Sequence, residues 1–212
     1  MMKSLRNLFR LSPPWLGFLI AMLVTACAST QVTSVWKDPS YGGHPKRVMV
    51  IGVSKSPINR RLFEEELVRQ FKAHGTDAIA SYTVLPDAKQ NDQDIIAKKV
   101  AEQHADTVLI TRLVSKKTVQ TYVPGTVYYP PAYYGTWRDY YGYGYQAIYT
   151  PGYVTEDEYA LIETNLYTAS NDKLIWAATS ETGVRGSDMR MIKDYIAVMI
   201  KTMAEQGLLG SK

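Results

Sequence analysis

The seven residues "RVMVIGV" (Arg47–Val53) constrain the fold of this chain more than any other stretch. An unbroken apolar, β-branched run of this length is the mark of a strand covered on both faces. Such a strand belongs inside an α/β sheet. The residues after it agree. Ser56 can cap a helix with Pro57 in its first turn. Leu62, Phe63, Leu67 and Phe71 then fall at helical spacing, and His74-Gly75 ends the segment.

The pattern repeats along the chain. "DAIASYTVL" reads as a second strand, and "NDQDIIAKKVAEQHA" as a helix with acids at its start and Ile95, Ile96 and Val100 facing inward. "DTVLITRLV" is a third strand that can extend through "SKKTVQTYV". "EYALIETNLYTA" and "KLIWAATSET" are two more, joined at Ser170-Asn171-Asp172 as a hairpin. "SDMRMIKDYIAVMIKTMAEQGLLG" is a final helix, with Ser187 as cap, Ile192, Tyr195, Ile196, Met199 and Met203 on one face, and Gly207 as its end. The fold class expected is therefore α/β: a mixed five-stranded sheet in the order β-α-β-α-β-(Tyr-rich insert)-β-β-α, with helices packed on it. Right-handed crossovers place the first three strands side by side and parallel, with the hairpin antiparallel at one edge.

The first thirty residues read as an address. Lys3, Arg6 and Arg10 form a basic region without acids, and Trp15–Ala26 is apolar, too short for a permanent span but suited to a secretory signal. "LVTAC" closes it and resembles the bacterial lipoprotein box. That resemblance implies a signal peptide over 1–26, then a diacylglyceryl thioether and an acylated amine on Cys27, the chain's single cysteine. Several acyl chains anchor firmly where one is marginal. Ala28 and Ser29 follow the cysteine where inner-membrane lipoproteins commonly carry Asp, so the resemblance implies a lipid-anchored, periplasm-facing protein of the outer membrane. Residues 27–45 read as a lipidated tether rich in turn formers ("WKDPSYGGHP"), and 46–212 as a single domain.

Removing Lys3, Arg6 and Arg10 from 24 basic residues leaves 21 against 20 acids, so the pI near 9.0 gives no support to nucleic-acid binding.

The order of elements resembles small periplasmic domains of envelope lipoproteins, among them the curli-secretion lipoprotein and the lipoprotein activators of penicillin-binding proteins. "WKDPSY", "VMVIGVSKSP", "SYTVLP", "ETNLY" and "LIWAATSET" resemble more closely a lipoprotein family without an assigned activity, over about residues 34 to 209. The resemblance implies no catalytic residue.

Nor do the residues themselves spell an enzyme. His44, His74 and His104 are far apart without paired metal spacing, and the last two fall near helix C-termini, where an imidazole suits exposed carbonyls. "SVWK" matches a Ser-x-x-Lys spelling without its companion motifs. "IGVSKSP" could present a helix N-terminus to an anion, but without glycines it reads as an ordinary strand–helix turn. The acid runs Glu64–Glu66 and Glu156–Glu158 read as solvated faces. The expectation is a protein without metal or cofactor.

What remains is an insertion at about 123–153, crowded with tyrosine, glycine and proline. If extended, Tyr141, Tyr143, Tyr145 and Tyr149 share one face, with Trp137 nearby, while Tyr140 faces the other way. Tyrosine offers large contact area at low rotamer cost. A protein-contact surface, a stacking platform for peptidoglycan or exopolysaccharide, a membrane hairpin and a plain loop all fit. Pro130-Pro131 and Arg138-Asp139 count against the membrane hairpin. Function is thus expected to be that of an envelope assembly or protein-binding accessory, with glycan binding as the alternative. The oligomeric state is not written in the sequence.

Overall fold

The structure is a computed structural model and describes residues 30–125, 136–139, 141–142 and 152–210. Cys27, Tyr143, Tyr145 and Tyr149 lie outside the described residues.

Six strands form one mixed sheet: β1 (Thr30–Lys37), β2 (Arg47–Val53), β3 (Asp77–Ala80), β4 (Thr107–Val123), β5 (Tyr153–Thr168) and β6 (Leu174–Gly183). Their order across the sheet is β1-β6-β5-β4-β2-β3. The helices are α1 (Pro57–Ala73), α2 (Gln93–Glu102) and α3 (Asp188–Glu205). As expected, the three strands around "RVMVIGV" are neighbours and parallel, and β5–β6 is an antiparallel hairpin beside β4.

The expected five strands and edge hairpin are corrected by β1. Thr30–Lys37 falls within the expected tether, yet it pairs antiparallel along β6 from Thr30↔Thr182 to Lys37↔Trp176. It closes the edge that the hairpin would otherwise present. "TQVTSVWK" hides its strand because an edge strand needs no apolar run. Its hydroxyls bond sideways instead, Thr33 and Ser34 both reaching Thr179 Oγ1 at 2.8 and 2.7 Å.

Val48, Val50, Leu109, Leu166, Trp176 and Ala178 turn one sheet face to α1 and α3, whose Leu67, Phe71, Ile196, Met199 and Met203 complete the main core. Met49 and Ile51 face the other way, against Val100 of α2. That two-sided burial is what the apolar run demanded. Ser56 caps α1 through Asn59 N, Asp92 caps α2 through Ile95 N, and Gly207, at φ +68°, ends α3. Ser187 precedes α3 in extended conformation, but its carbonyl rather than its hydroxyl receives the first turn. His74 Nδ1 bonds the Gln70 carbonyl at 2.9 Å, the helix-end role its position suggested.

Strand β3 is shorter than expected. After Ala80 the chain turns into a 3-10 segment, Ser81–Thr83. The cause lies in α1. Glu64 Oε2 accepts from Tyr82 N at 2.8 Å and Oε1 accepts from Ser81 Oγ at 2.8 Å, drawing the chain off the sheet.

Candidate functional site

The direction in which successive strands are added reverses at β2, while β4 runs on past the end of β2 into its hairpin with β5. β2 leads through α1 to β3 on one side, and β3 leads back through α2 to β4 on the other. Such a switch point leaves a crevice between the strand ends, where α/β folds place their ligands. Here the crevice is a cleft of about 410 Å³ under α1 and the start of α3. Its wall is mostly apolar: Phe63, Leu113, Ala160, Ile162, Val184 and Ile192. Val53, Ile58 and Leu113 stay half-exposed or more (55%, 70% and 50%), and Val53 and Leu113 belong to the wall itself. The volume and lining fit a small-molecule or chain-like ligand.

The polar groups around the cleft are already occupied. At its floor Thr111 and Thr164 share a hydrogen bond of 2.8 Å, and Thr164 bonds the Tyr195 hydroxyl. Burial pushes the Tyr195 phenol far above its ordinary range, so it stays neutral. Its ring lies 5.9 Å from that of Phe63. Asn59 Nδ2 donates to Asp188 at 3.0 Å, Arg112 pairs with Glu163 at 2.6 Å, and Lys116 pairs with Glu158 at 3.2 Å.

Behind the cleft sits a fully buried ion pair, and it corrects the reading of Glu64–Glu66 as a solvated face. Glu64 and Arg60 are both 0% exposed, and Glu66 is 8%. Arg60 Nε donates to Glu64 Oε1 at 3.0 Å, Nη1 to Asp87 at 2.6 Å and Nη2 to Ser81 Oγ at 2.8 Å. Glu64 Oε1 also accepts from Gly52 N at 2.9 Å. Within "IGVSKSP" the chain's own carboxylate thus meets Gly52 N at the end of β2, while Ser56 Oγ accepts from Asn59 N at the helix start, so the segment serves as an ordinary strand–helix turn. Glu66 is held by Arg69 and Gln70, which bring its carboxyl below the usual range despite burial. The other acid run behaves as read: Glu156 is exposed on β5 and Asp157 and Glu158 are half-buried there, facing Gln120, Arg185 and Lys116.

The tyrosine insertion closes a long hairpin. β4 and β5 pair without a break from Ser115↔Leu161 to Val123↔Tyr153, while β6 leaves β5 at Tyr159↔Gly183. The last six pairs, Thr118↔Glu158 to Val123↔Tyr153, thus project beyond the sheet by about 20 Å. Tyr122, Tyr153 and Val154 are exposed near the tip. Trp137 is 73% exposed, with the Arg138 guanidinium 5.5 Å over its ring. The extended reading does not hold at Tyr141. Trp137–Asp139 and Tyr141-Gly142 are helical, with Thr136 Oγ1 receiving Asp139 N in the first turn. The alternation requires an extended backbone, and Tyr141 is exposed on a helical turn.

Sequence reasoning missed the cleft. Its wall comes from α1, α3 and four strands, each of whose residues reads separately as ordinary core. Among the described residues no group of three His, Cys, Asp or Glu could hold a metal, and no helix is long and apolar enough to cross a membrane.

No known family's sequence profile matches the chain, and no curated protein matches it in sequence. Among solved structures it is similar to the PelC dodecamer from Paraburkholderia phytofirmans, with 14% identity, 86% of this chain and 99% of that one covered, and a TM-score of 0.47. It is also similar to lipoprotein GNA1162 from Neisseria meningitidis, with 15% identity, 76% and 99% covered, and a TM-score of 0.40. Neither score reaches a level from which a shared function follows.

Proposed function

We propose that this chain is a lipid-anchored protein of the bacterial envelope that makes protein contacts at a membrane surface, an assembly accessory and not an enzyme. The observation that carries the reading is a coincidence of position. Thr30, three residues after Cys27, pairs with Thr182, which pairs with Ala160, which pairs with Lys116. That row is the level at which the β4–β5 hairpin leaves the sheet. A lipid on Cys27 would thus sit near the pole from which the hairpin projects, and the turn joining β5 to β6 lies at the other. Ala28 and Ser29 after the cysteine favour the outer membrane. Large exposed aromatics with polar tips suit an interface between apolar and wet surroundings.

Two measurements test this. Cys27→Ser is expected to lose fatty-acid labelling and to leave precursor or soluble protein; labelling at the wild-type level would remove the anchor. A photo-crosslinking residue at Tyr122 or Tyr153 in intact cells is expected to capture one discrete envelope protein. Adducts to glycan instead would make the hairpin a glycan-binding module, and equal capture from the opposite pole would end the claim of a contact surface.

A further inference from the structure

We propose that the cleft takes in one acyl chain of the Cys27 anchor. The inference rests on the lipid-anchor reading and adds to it where one of the chains goes. Its first support is distance. Thr30 Oγ1 lies 3.0 Å from Thr182 Oγ1, and Thr182 is a wall residue of the cleft. Both side chains are buried on the sheet face that carries α1 and α3. Three residues reach at most about 10 Å, so Cys27 stays within that distance of Thr30, and a fatty acyl chain is long enough to span it.

The second support is chemistry. The wall offers Val53, Phe63, Leu113, Ala160, Ile162 and Ile192. Every charged wall group already has a partner: Arg60 has Glu64 and Asp87, Arg112 has Glu163, Lys116 has Glu158, and Asp188 has Asn59. The floor hydroxyls of Thr111 and Tyr195 are bonded through Thr164. Nothing in the cleft calls for an ionic ligand, and its apolar surface calls for an apolar one. The third support is number. An anchor with a diacylglyceryl group and an acylated amine carries three chains. Withdrawing one leaves two in the bilayer, enough for stable anchoring. The seated chain would hold this pole against the membrane and fix the direction in which the hairpin points.

The test uses the full-length protein made in cells fed a diazirine-bearing fatty acid, irradiated and mapped by mass spectrometry. Label at Cys27 with adducts at Leu113 and Ile192 is the expected result. Leu113→Asp puts a charge on a half-exposed wall position and is expected to lower that adduct about tenfold, the effect of one uncompensated polar group on an apolar site. Ala160→Trp, which fills the cleft, is expected to do the same and covers the case in which the aspartate variant does not fold. Label at Cys27 with adducts only to phospholipid overturns the seated chain and leaves the anchor standing. Unchanged cleft adducts in both variants also overturn it. No label at Cys27 removes the anchor reading, and the seated chain with it.

Discussion

Two runs of acids, Glu64-Glu65-Glu66 and Glu156-Asp157-Glu158, look alike in the sequence and end in opposite surroundings. The first supplies the most buried ion pair of the described residues, with Glu64 enclosed by Arg60, Ser81, Gly52 N and Tyr82 N. The second stands on the projecting hairpin, where Glu156 and Glu158 face Gln120 and Lys116 across the strands and Asp157 meets Arg185 beyond the end of β6. Charge alone did not separate them. Register did: Glu64 lies four residues from Arg60 and three from Leu67 on the face of α1 that meets the sheet, whereas Glu156 to Glu158 pair on a strand that has already left it.

That contrast can be broken most forcefully at Glu64. Glu64→Ala leaves Arg60 buried without its main partner and two backbone donors without acceptors, so a loss of about 3–5 kcal/mol is expected in denaturant unfolding. A loss below about 1 kcal/mol would mean that the ion pair is not buried in solution.

The hairpin side of the comparison sharpens with its tip. Replacing residues 124–152 by an Asn-Gly turn joins Val123 to Tyr153, already partners in the ladder. Loop closure depends weakly on length, so the melting temperature is expected to move by less than about 10 °C. A larger fall would make the insertion part of the core.

Asp38 lies between the two extremes. Lys173 Nζ at 2.5 Å, then Ser40 Oγ and Ser40 N, hold its carboxyl down at about 2, from an ordinary value of 3.8. A depressed carboxyl stabilises the fold above its unfolded value and loses that contribution as pH falls through the folded one. Thermal stability is therefore expected to drop between about pH 4 and pH 2, and Asp38→Asn should flatten that part of the profile. An unchanged profile would remove the Lys173 pairing. The smallest effect belongs to Glu156→Ala and Glu158→Ala, each expected within about 1 kcal/mol of the parent.

The covered parallel strands and the amphipathic helices were legible because their side chains repeat with the period of the element that buries them. Val48–Ile51, Leu67, Phe71, Ile196 and Met203 all sit where their spacing put them. β1 was not legible, since an edge strand of Thr, Ser and Gln carries its order in cross-strand hydroxyl bonds that need the partner strand to be seen. The end of β3 was hidden for the same reason: Glu64 bends it from another element. The cleft was illegible because Leu113, Ala160 and Ile192 converge only through the sheet order. Spacing placed Tyr141 on a strand, while Thr136 and Asp139 start a helical turn before it.

The central claim is that the lipid anchor, the cleft and the hairpin share one pole that faces the membrane. Cys27 is the chain's single cysteine and the proposed lipid anchor would consume it, so one introduced cysteine can carry a fluorophore. Val154, beside the hairpin tip, and Ala101, on the last turn of α2 at the opposite pole, are both exposed. With the lipidated protein in vesicles containing bilayer-embedded quenchers, the label at Val154→Cys is expected to be quenched strongly and the label at Ala101→Cys hardly at all. Equal quenching, or stronger quenching at Ala101→Cys, would contradict the shared pole.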